Sequence, residues 1–430
     1  MDSITIIASS YFPETCAPAK RLHGLAKHLA GKGHKVTVIA PLPNYPQGRV
    51  YKEFQTKLAQ EFHEDGVRII RLMPIIAPKD KLLLRLIAEV LSAFLASGVY
   101  LIHARSSIVL ASSPAIFLGP FGALVAKLTG AKFMWDIRDL LWRYTQAIGE
   151  TGLRKVAGNL IEGLMLWTAR QARFLTATTK SQQDYFVQHG VAESRTALYP
   201  NGIPEAFFER VKAAQPRKKR PGTFRVVYAG LIGYPQGLTT LITAAKLLGD
   251  DPSIEILLAG DGVERATLES RCQVEGIGNV QFLGYLSQQE LAELYRSADI
   301  LYAQLRGEPV FATAQPSKVW EYLATGNPLV YGGIGESANA VRRSGGGLVV
   351  PPDDPAALVT TLRLLKDDPD LRKDLAAAGW DFASIHLKQE TILAEVTEKL
   401  LSVGGMHSPK ALSNIQPEVI AGALSARPDK

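Results

Sequence analysis

Phe224-Arg225-Val226-Val227-Tyr228-Ala229-Gly230-Leu231-Ile232-Gly233-Tyr234-Pro235-Gln236-Gly237-Leu238 reads as a six-residue apolar strand, a glycine-punctuated turn and the start of a helix. Glycines at the end of a strand let the backbone come close to a phosphate, although ordinary turn chemistry needs them too. The spacing is not G-x-G-x-x-G and no acidic residue stands at the usual distance on the next strand, so dinucleotide binding is a weak reading. Outward from this stretch the alternation continues. Apolar runs at Phe224–Ala229, Ile254–Ala259, Val280–Leu283, Asp299–Ala303, Pro328–Tyr331 and Leu348–Val350 are separated by helical stretches. Strands alternating with helices predict a parallel, doubly wound sheet with ligands at the carboxyl ends of its strands.

The first half repeats the pattern, with strand-like runs at Ile4–Ser9, Lys35–Ala40, Val67–Leu72, Ser107–Ser112, Lys132–Asp136 and Arg173–Thr178. Between the first two, Leu22, Leu25, Ala26 and Leu29 recur at i, i+3, i+4 and i+7, the apolar stripe of an amphipathic helix stopped by Gly31 and Gly33. Gln215-Pro216-Arg217-Lys218-Lys219-Arg220-Pro221-Gly222 has no apolar periodicity and reads as an exposed linker. The expected organisation is a Rossmann-like domain over 1–209, a linker over 210–222, a second Rossmann-like domain over 223–380, a closing helix over 381–403 and a disordered tail over 404–430. Two such domains leave a cleft suited to an enzyme that handles two substrates.

The chain has 430 residues, 47% of them hydrophobic and 21% charged, enough for packed cores and unlike a disordered or fibrous protein. Its two cysteines, Cys16 and Cys272, exclude a disulfide scaffold and fit a reducing compartment. The net charge of +7 is unevenly spread: residues 1–220 hold 30 Lys and Arg against 16 Asp and Glu, and residues 221–430 hold 18 against 25. A basic half suits an anionic partner, whether nucleic acid, membrane or substrate. No aromatic residues are interleaved with Arg217–Arg220 for base stacking, so nucleic acid is not expected. Met1–Ile7 lacks the basic start of a signal peptide. Leu86–Ile102 falls short of a standard membrane span, and Lys79, Lys81 and Arg85 beside Leu82, Leu83, Leu84 and Leu86 suit a helix lying on an anionic membrane surface or a buried core helix.

The strongest chemical signal is Phe311–Pro328, which contains Gln315-Pro316-Ser317-Lys318-Val319-Trp320-Glu321. A helix that begins here would aim free N–H groups at an anion, with the Ser317 hydroxyl and the Lys318 charge at the same end. Glu321, one turn deeper, is placed for ribose hydroxyls. Gly260-Asp261-Gly262 ends the next strand, a common turn of low specificity. Trp135-Asp136-Ile137-Arg138-Asp139 ends a strand of the first half, where Arg138 and Asp139 are candidates for a leaving phosphate and a hydroxyl, or for a structural pair. There is no zinc-type His pair, no G-x-S-x-G and no P-loop, and Asp368-Pro369-Asp370 reads as a helix cap.

Taken together, these motifs resemble family 4 glycosyltransferases, retaining enzymes with the GT-B fold. The likeness runs through Gly230–Leu238, Gly260-Asp261-Gly262, Phe282-Leu283-Gly284, Ser297-Ala298-Asp299, Pro316–Glu321 and Gly346–Pro352 in the second half. In the first it runs through Tyr11–Thr15, Gly33–Val38, Pro43–Pro46 and Pro200-Asn201-Gly202. With Asp136–Leu140, the set is similar to the colanic-acid and fucosamine-transferase type that builds bacterial exopolysaccharide and O-antigen repeats, over about residues 1–400. Four positions depart from the family: Thr313 for the first Glu of E-x7-E, Gln236 for a phosphate-binding Lys, Arg138 for a His, and Cys16 for a Gly.

The resemblance implies a nucleotide-sugar donor on the second domain, at Gly230, Gly233, Gln236, Gly260, Asp261, Ser317, Lys318 and Glu321. It implies catalysis by Lys318, Arg138 and Asp139, and an acceptor on the first domain at Glu14, Thr15, Cys16 and Arg21. No metal or other cofactor is expected, because Lys318, Ser317 and the helix end supply positive potential. The acceptor is expected to be a polyprenyl-diphosphate-linked saccharide, with the protein cytoplasmic and peripheral on the inner membrane face. A sugar-nucleotide epimerase of the same fold and a non-catalytic assembly subunit are the alternatives.

Overall fold

The computed structural model describes residues 3–14, 16–45, 48–54, 59–78, 81–113, 115–138, 140 and 153–405. The chain divides into two compact units: Met1–Ala177, Gln183–Tyr199 and Thr391–Lys430 form one, and Thr178–Gln182 and Pro200–Glu390 the other.

The first unit holds strands β1 (Ser3–Ile7), β2 (Lys35–Pro41), β3 (Ala59–Glu64), β4 (Val67–Leu72), β5 (Ile108–Ser112), β6 (Lys132–Ile137), β7 (Phe174–Ala177) and β8 (Thr196–Leu198). Their order is β3-β4-β2-β1-β5-β6-β7-β8, parallel throughout except for β3 against β4. Among the described residues, the helices before residue 190 are α1 (Ala17–Gly31), α2 (Leu82–His103), α3 (Leu118–Thr129), α4 (Leu153–Gln171) and α5 (Lys180–Gln188). The α1 stripe is buried as its spacing predicts: Leu22, Leu25, Ala26 and Leu29 pack with Val36, Val38 and Ile6. Each such leucine contributes about 1.5–3 kcal/mol. Strand β3 has no apolar run to announce it. Its sequence, Ala59–Glu64, is polar, and as an edge strand it is held mainly by backbone pairing with β4.

Helix α2 begins at Leu82, upstream of the span candidate Leu86–Ile102, and takes in the leucine-rich stretch beside Lys81 and Arg85. It is long and apolar enough to cross a membrane, yet only 28% of that stretch is buried in the structure. Its packed side carries Ala88, Ala93, Ala96, Ser97 and Tyr100, whereas Leu84, Ile87, Leu91, Phe94 and Leu95 are exposed. Small residues face in and large apolar ones face out, the reverse of an ordinary surface helix.

The second unit has strands β9 (Phe224–Ala229), β10 (Ile254–Ala259), β11 (Val280–Gly284), β12 (Ile300–Gln304), β13 (Leu329–Gly332) and β14 (Gly347–Val350) in the order β11-β10-β9-β12-β13-β14. All five pairings are parallel. Its helices are α6 (Glu205–Ala213), α7 (Thr239–Leu247), α8 (Arg265–Val274), α9 (Gln288–Ser297), α10 (Ser317–Leu323), α11 (Gly335–Ser344), α12 (Pro355–Asp367) and α13 (Pro369–His386). The Asp368 carboxylate accepts from the Leu371 N–H at 2.8 Å, so the Asp-Pro-Asp stretch is a helix cap.

The domain borders differ from the sequence reading. The chain enters the second unit at Pro200, because Phe208 and Val211 of α6 are buried there. Much of the basic stretch after α6 is also tied down: Lys219 pairs with Asp299 at 2.6 Å and the Arg217 N–H donates to Glu293 at 3.2 Å. The single closing helix is instead two. Helix α13 stays in the second unit, and α14 (Gln389–Gly404) returns to the first, burying Ile392, Val396 and Leu400. The tail beyond residue 405 lies outside the described residues.

Candidate active site

In the second unit the strand order reverses between β9 and β12, and ligands of doubly wound sheets bind outside the strand ends at such a point. The turn after β9 and the segment after β12 flank it. Arg306 bridges them: its N–H donates to Pro235 at 3.0 Å, its Nε to the Tyr234 carbonyl at 2.8 Å, and its guanidinium stacks 4.2 Å above the Tyr234 ring. Buried Gln304 donates through Nε2 to the Gly237 carbonyl, Thr240 and Asp353 at 2.9–3.1 Å. Neither Arg306 nor Gln304 carries a motif. The sheet order alone points to them.

Lys318 is the second residue of α10. Its Nζ donates to the Tyr228 hydroxyl at 2.5 Å and lies 4.1 Å from the centre of that ring. Tyr228 in turn donates to the Leu231 carbonyl at 2.5 Å, which leaves its oxygen as the acceptor for the lysine. Gly230, at φ +147°, makes this possible, because a Cβ there would sit 2.5 Å from Nζ. Burial holds Lys318 far below the ordinary lysine range, at about 7, and Glu321 offsets this only in part. Lys318 makes no ion pair among the described residues. A lysine so placed, with Glu321 acting on it but no carboxylate at ion-pair distance among the described residues, under a glycine turn at a sheet switch point, is chemically suited to receive an external anion.

The helix that carries it is seven residues long with no side-chain cap at Pro316. So short a helix has little dipole, and the helix end is a weaker source of potential than its sequence suggests. Ser317 is exposed at its first position. Gly260, at φ +130°, has a role other than approaching a ligand: a Cβ there would lie 1.9 Å from the Gly230 carbonyl. The turns after β9 and β10 are laced together by Gly230 N–H to Ala259 and Ile232 N–H to Asp261, both at 2.9 Å. Asp261 is exposed, its carboxylate accepting from Gly262 N–H at 2.9 Å. Gly233 and half-buried Gln236 complete the turn on either side of Tyr234.

The first-unit candidates are not assembled as an open acceptor site. Arg21 is 4% exposed and is committed to Asp136, with Nη2–Oδ1 at 2.8 Å and Nε–Oδ2 at 3.2 Å, and its guanidinium lies 3.3 Å over Tyr199. Burial opposes the Asp136 charge, but Arg21, Thr176 and Ser112 together hold the carboxyl below its usual range. This is a structural pair at the centre of the unit. Glu14 is also buried, its Oε1 accepting from Asn44 and Tyr45 N–H at 2.8 and 2.9 Å, which ties the turn after β1 to that after β2. Half-buried Cys16 precedes α1, its thiol 3.5 Å from the Ser10 hydroxyl. The Arg138 N–H donates to Ser113 at 2.8 Å. Thr15 and Asp139 lie outside the described residues.

The family described as Glycosyl transferases group 1 matches residues 210–381, and the Glycosyl transferase 4-like domain matches residues 17–202. The chain is a family 4-type glycosyltransferase. Among its relatives is the colanic acid biosynthesis glycosyl transferase WcaI of Escherichia coli K12, 28% identical over 342 residues, 76% of this chain and 82% of that one. The D-inositol 3-phosphate glycosyltransferase of Pseudarthrobacter chlorophenolicus is 29% identical over 215 residues, 48% of this glycosyltransferase and 50% of the relative. Sucrose-phosphate synthase of Thermosynechococcus elongatus aligns with a TM-score of 0.69 at 18% identity, covering 94% of this chain and all of that one. Anabaena HepE in complex with UDP and glucose aligns at 0.65 and 16%, with coverage of 94% and 100%. These likenesses establish the GT-B fold.

Proposed function

We propose that this glycosyltransferase moves a hexose or deoxyhexose, with retained anomeric configuration, from a nucleotide diphosphate to a polyprenyl-diphosphate-linked or saccharide acceptor. The setting is the cytoplasmic face of the cell membrane, in assembly of an exopolysaccharide or O-antigen. The observation that carries the reading is the Lys318 ammonium against Tyr228, at the strand ends where a donor's diphosphate would lie. As the sugar–oxygen bond breaks, charge develops on the leaving diphosphate, and a cation fixed in advance stabilises that charge most where water is scarce. Lys318 then supplies what a divalent cation could, with Ser317 beside it, and Glu321 one turn on is left for the ribose. The relative named for colanic acid synthesis supports the polysaccharide setting, and the exposed apolar face of α2 supports a membrane surface.

The test is a thermal-shift series with UDP-, GDP- and dTDP-sugars, followed by product analysis with the radiolabelled sugar nucleotide that shifts the protein. A true donor raises the melting temperature by mass action, Lys318→Ala removes the shift, and transfer persists in EDTA. An epimerised donor without transfer would replace this reading with isomerisation, and no shift with any sugar nucleotide would end it.

A further inference from the structure

The first sheet reverses its order between β1 and β5, and a pocket of about 440 Å³ lies beside that point, bounded by the ends of β1, β2 and β4, by α2 and by Ala115 and Leu118 after β5. Open sheets bind ligands in this position, and the volume is that of a small-molecule site. The walls are mostly hydrocarbon, from Ile39, Leu72, Ile76, Ala88, Ala96 and Leu118. Its polar side chains are Ser9, Asn44, Tyr45, Arg85, Glu89 and Ser92. Of these Glu89 turns its carboxylate to the Ile116 N–H at 3.1 Å, and burial pushes it toward its neutral form.

Two further observations identify the occupant. Several wall residues are also outer-surface residues: Met73, Ile76 and Leu95 line the pocket and are each about half exposed. At Leu95 the wall meets the outward apolar stripe of α2, beside the polar wall residues Glu89 and Ser92 of the same helix. Arg85, also a wall residue, is exposed and makes no ion pair among the described residues, and exposed Lys81 stands one turn before it. An apolar slot that opens onto an apolar face, with cations at one end of the helix, complements a long hydrocarbon chain bearing a phosphate.

We infer that this pocket takes the first part of the hydrocarbon chain of a prenyl-phosphate lipid, with Arg85 toward the phosphate. The inference rests on the reading that the acceptor is lipid-linked, and it replaces Glu14 and Arg21 as the place where that acceptor is held.

Binding of geranylgeranyl phosphate, measured by calorimetry below its aggregation concentration, tests it, with inorganic phosphate and geranylgeraniol as comparisons. Wild type is expected to bind the prenyl phosphate at least tenfold more tightly than either. Ser92→Phe and Ala88→Phe, which fill the pocket, should each weaken it about tenfold while melting near wild type and keeping the thermal shift given by the donor. Arg85→Gln should weaken prenyl phosphate but not geranylgeraniol. Leu91→Gln, on the outer stripe and outside the pocket, should leave binding of the monomeric lipid unchanged. Unaltered affinity in both folded pocket variants would overturn the proposal, as would loss in Leu91→Gln alone, which means surface adsorption. A stable dimer that buries α2 and excludes the lipid would also overturn it. The donor reading fails separately: absence of any sugar-nucleotide shift leaves prenyl-phosphate binding as a result in its own right.

Discussion

Lys318 offers a prediction with a sign and a size. Replacing it with methionine keeps the length of the side chain and removes the charge. Burial lowers the lysine from 10.5 to about 7, and at about 1.4 kcal/mol per unit the folded state forgoes on the order of 5 kcal/mol at neutral pH. The folded value lies below the unfolded one, so between them the unfolded chain binds more protons and stability rises with pH. This site alone should add about 2 kcal/mol to wild type between pH 7 and pH 9. Lys318→Met should be more stable than wild type at pH 7 by roughly 2–4 kcal/mol, with a smaller margin at pH 9, and on the proposed reading should not bind the donor's nucleoside diphosphate, for which UDP stands in these assays. Urea unfolding at the two pH values reads the first effect. The second follows from linkage: a diphosphate that restores the charge draws in a proton, so UDP binding at pH 8 should take up most of a proton. Calorimetry in buffers of different ionisation heat measures that uptake, and affinity should fall as pH rises above 7. Equal stability of the two proteins at pH 7, or UDP binding without proton uptake, would refute the picture of a buried cation awaiting an anion.

Three other outcomes are expected. Asp136→Ala leaves the buried Arg21 guanidinium without its carboxylate and should cost about 3–5 kcal/mol in urea unfolding; in wild type this pair's contribution is present above about pH 4 and is lost as pH falls below it. Gly260→Ala puts a methyl against the Gly230 carbonyl at a positive φ, and should lower the melting temperature by several degrees and abolish the UDP shift, read in one thermal scan. Leu91→Glu with Phe94→Glu should cut cosedimentation with anionic vesicles severalfold while leaving the circular dichroism spectrum intact, because both side chains are exposed.

Periodicity locates twelve of the fourteen strands among the described residues because they are apolar runs, most of them buried on both faces, with β11 and β14 at the sheet edges only partly buried. Strand β3 escaped because its residues are polar, and β8 because three residues carry no period. In the second unit the motif residues Gly230 and Lys318 do meet, since local strand–turn–helix chemistry fixes both. The first-unit candidates fared differently. Arg21 and Asp136 are 115 positions apart, and nothing local reveals that each consumes the other's charge. Tyr228 and Arg306 were missed for the same reason: one looks like a strand residue and the other like a loop cation until the sheet order places them. The reversed polarity of α2 was hidden because composition says how apolar a helix is and not which side is packed.

The return of α14 to the first unit has a consequence for synthesis. Val396 and Leu400 pack in the same cluster as Leu25, Leu110, Met134 and Phe174, residues made more than two hundred positions earlier. On the ribosome the first sheet must wait, with part of its apolar surface bare, until nearly the whole chain has emerged. The second unit, continuous from Pro200 to Glu390 but for five residues of α5 and its approach, has no such delay. Domains usually mature in the order in which they are made; here the half made second can finish first, and a chain stopped at residue 390 would carry a sound second unit and an unfinished first one.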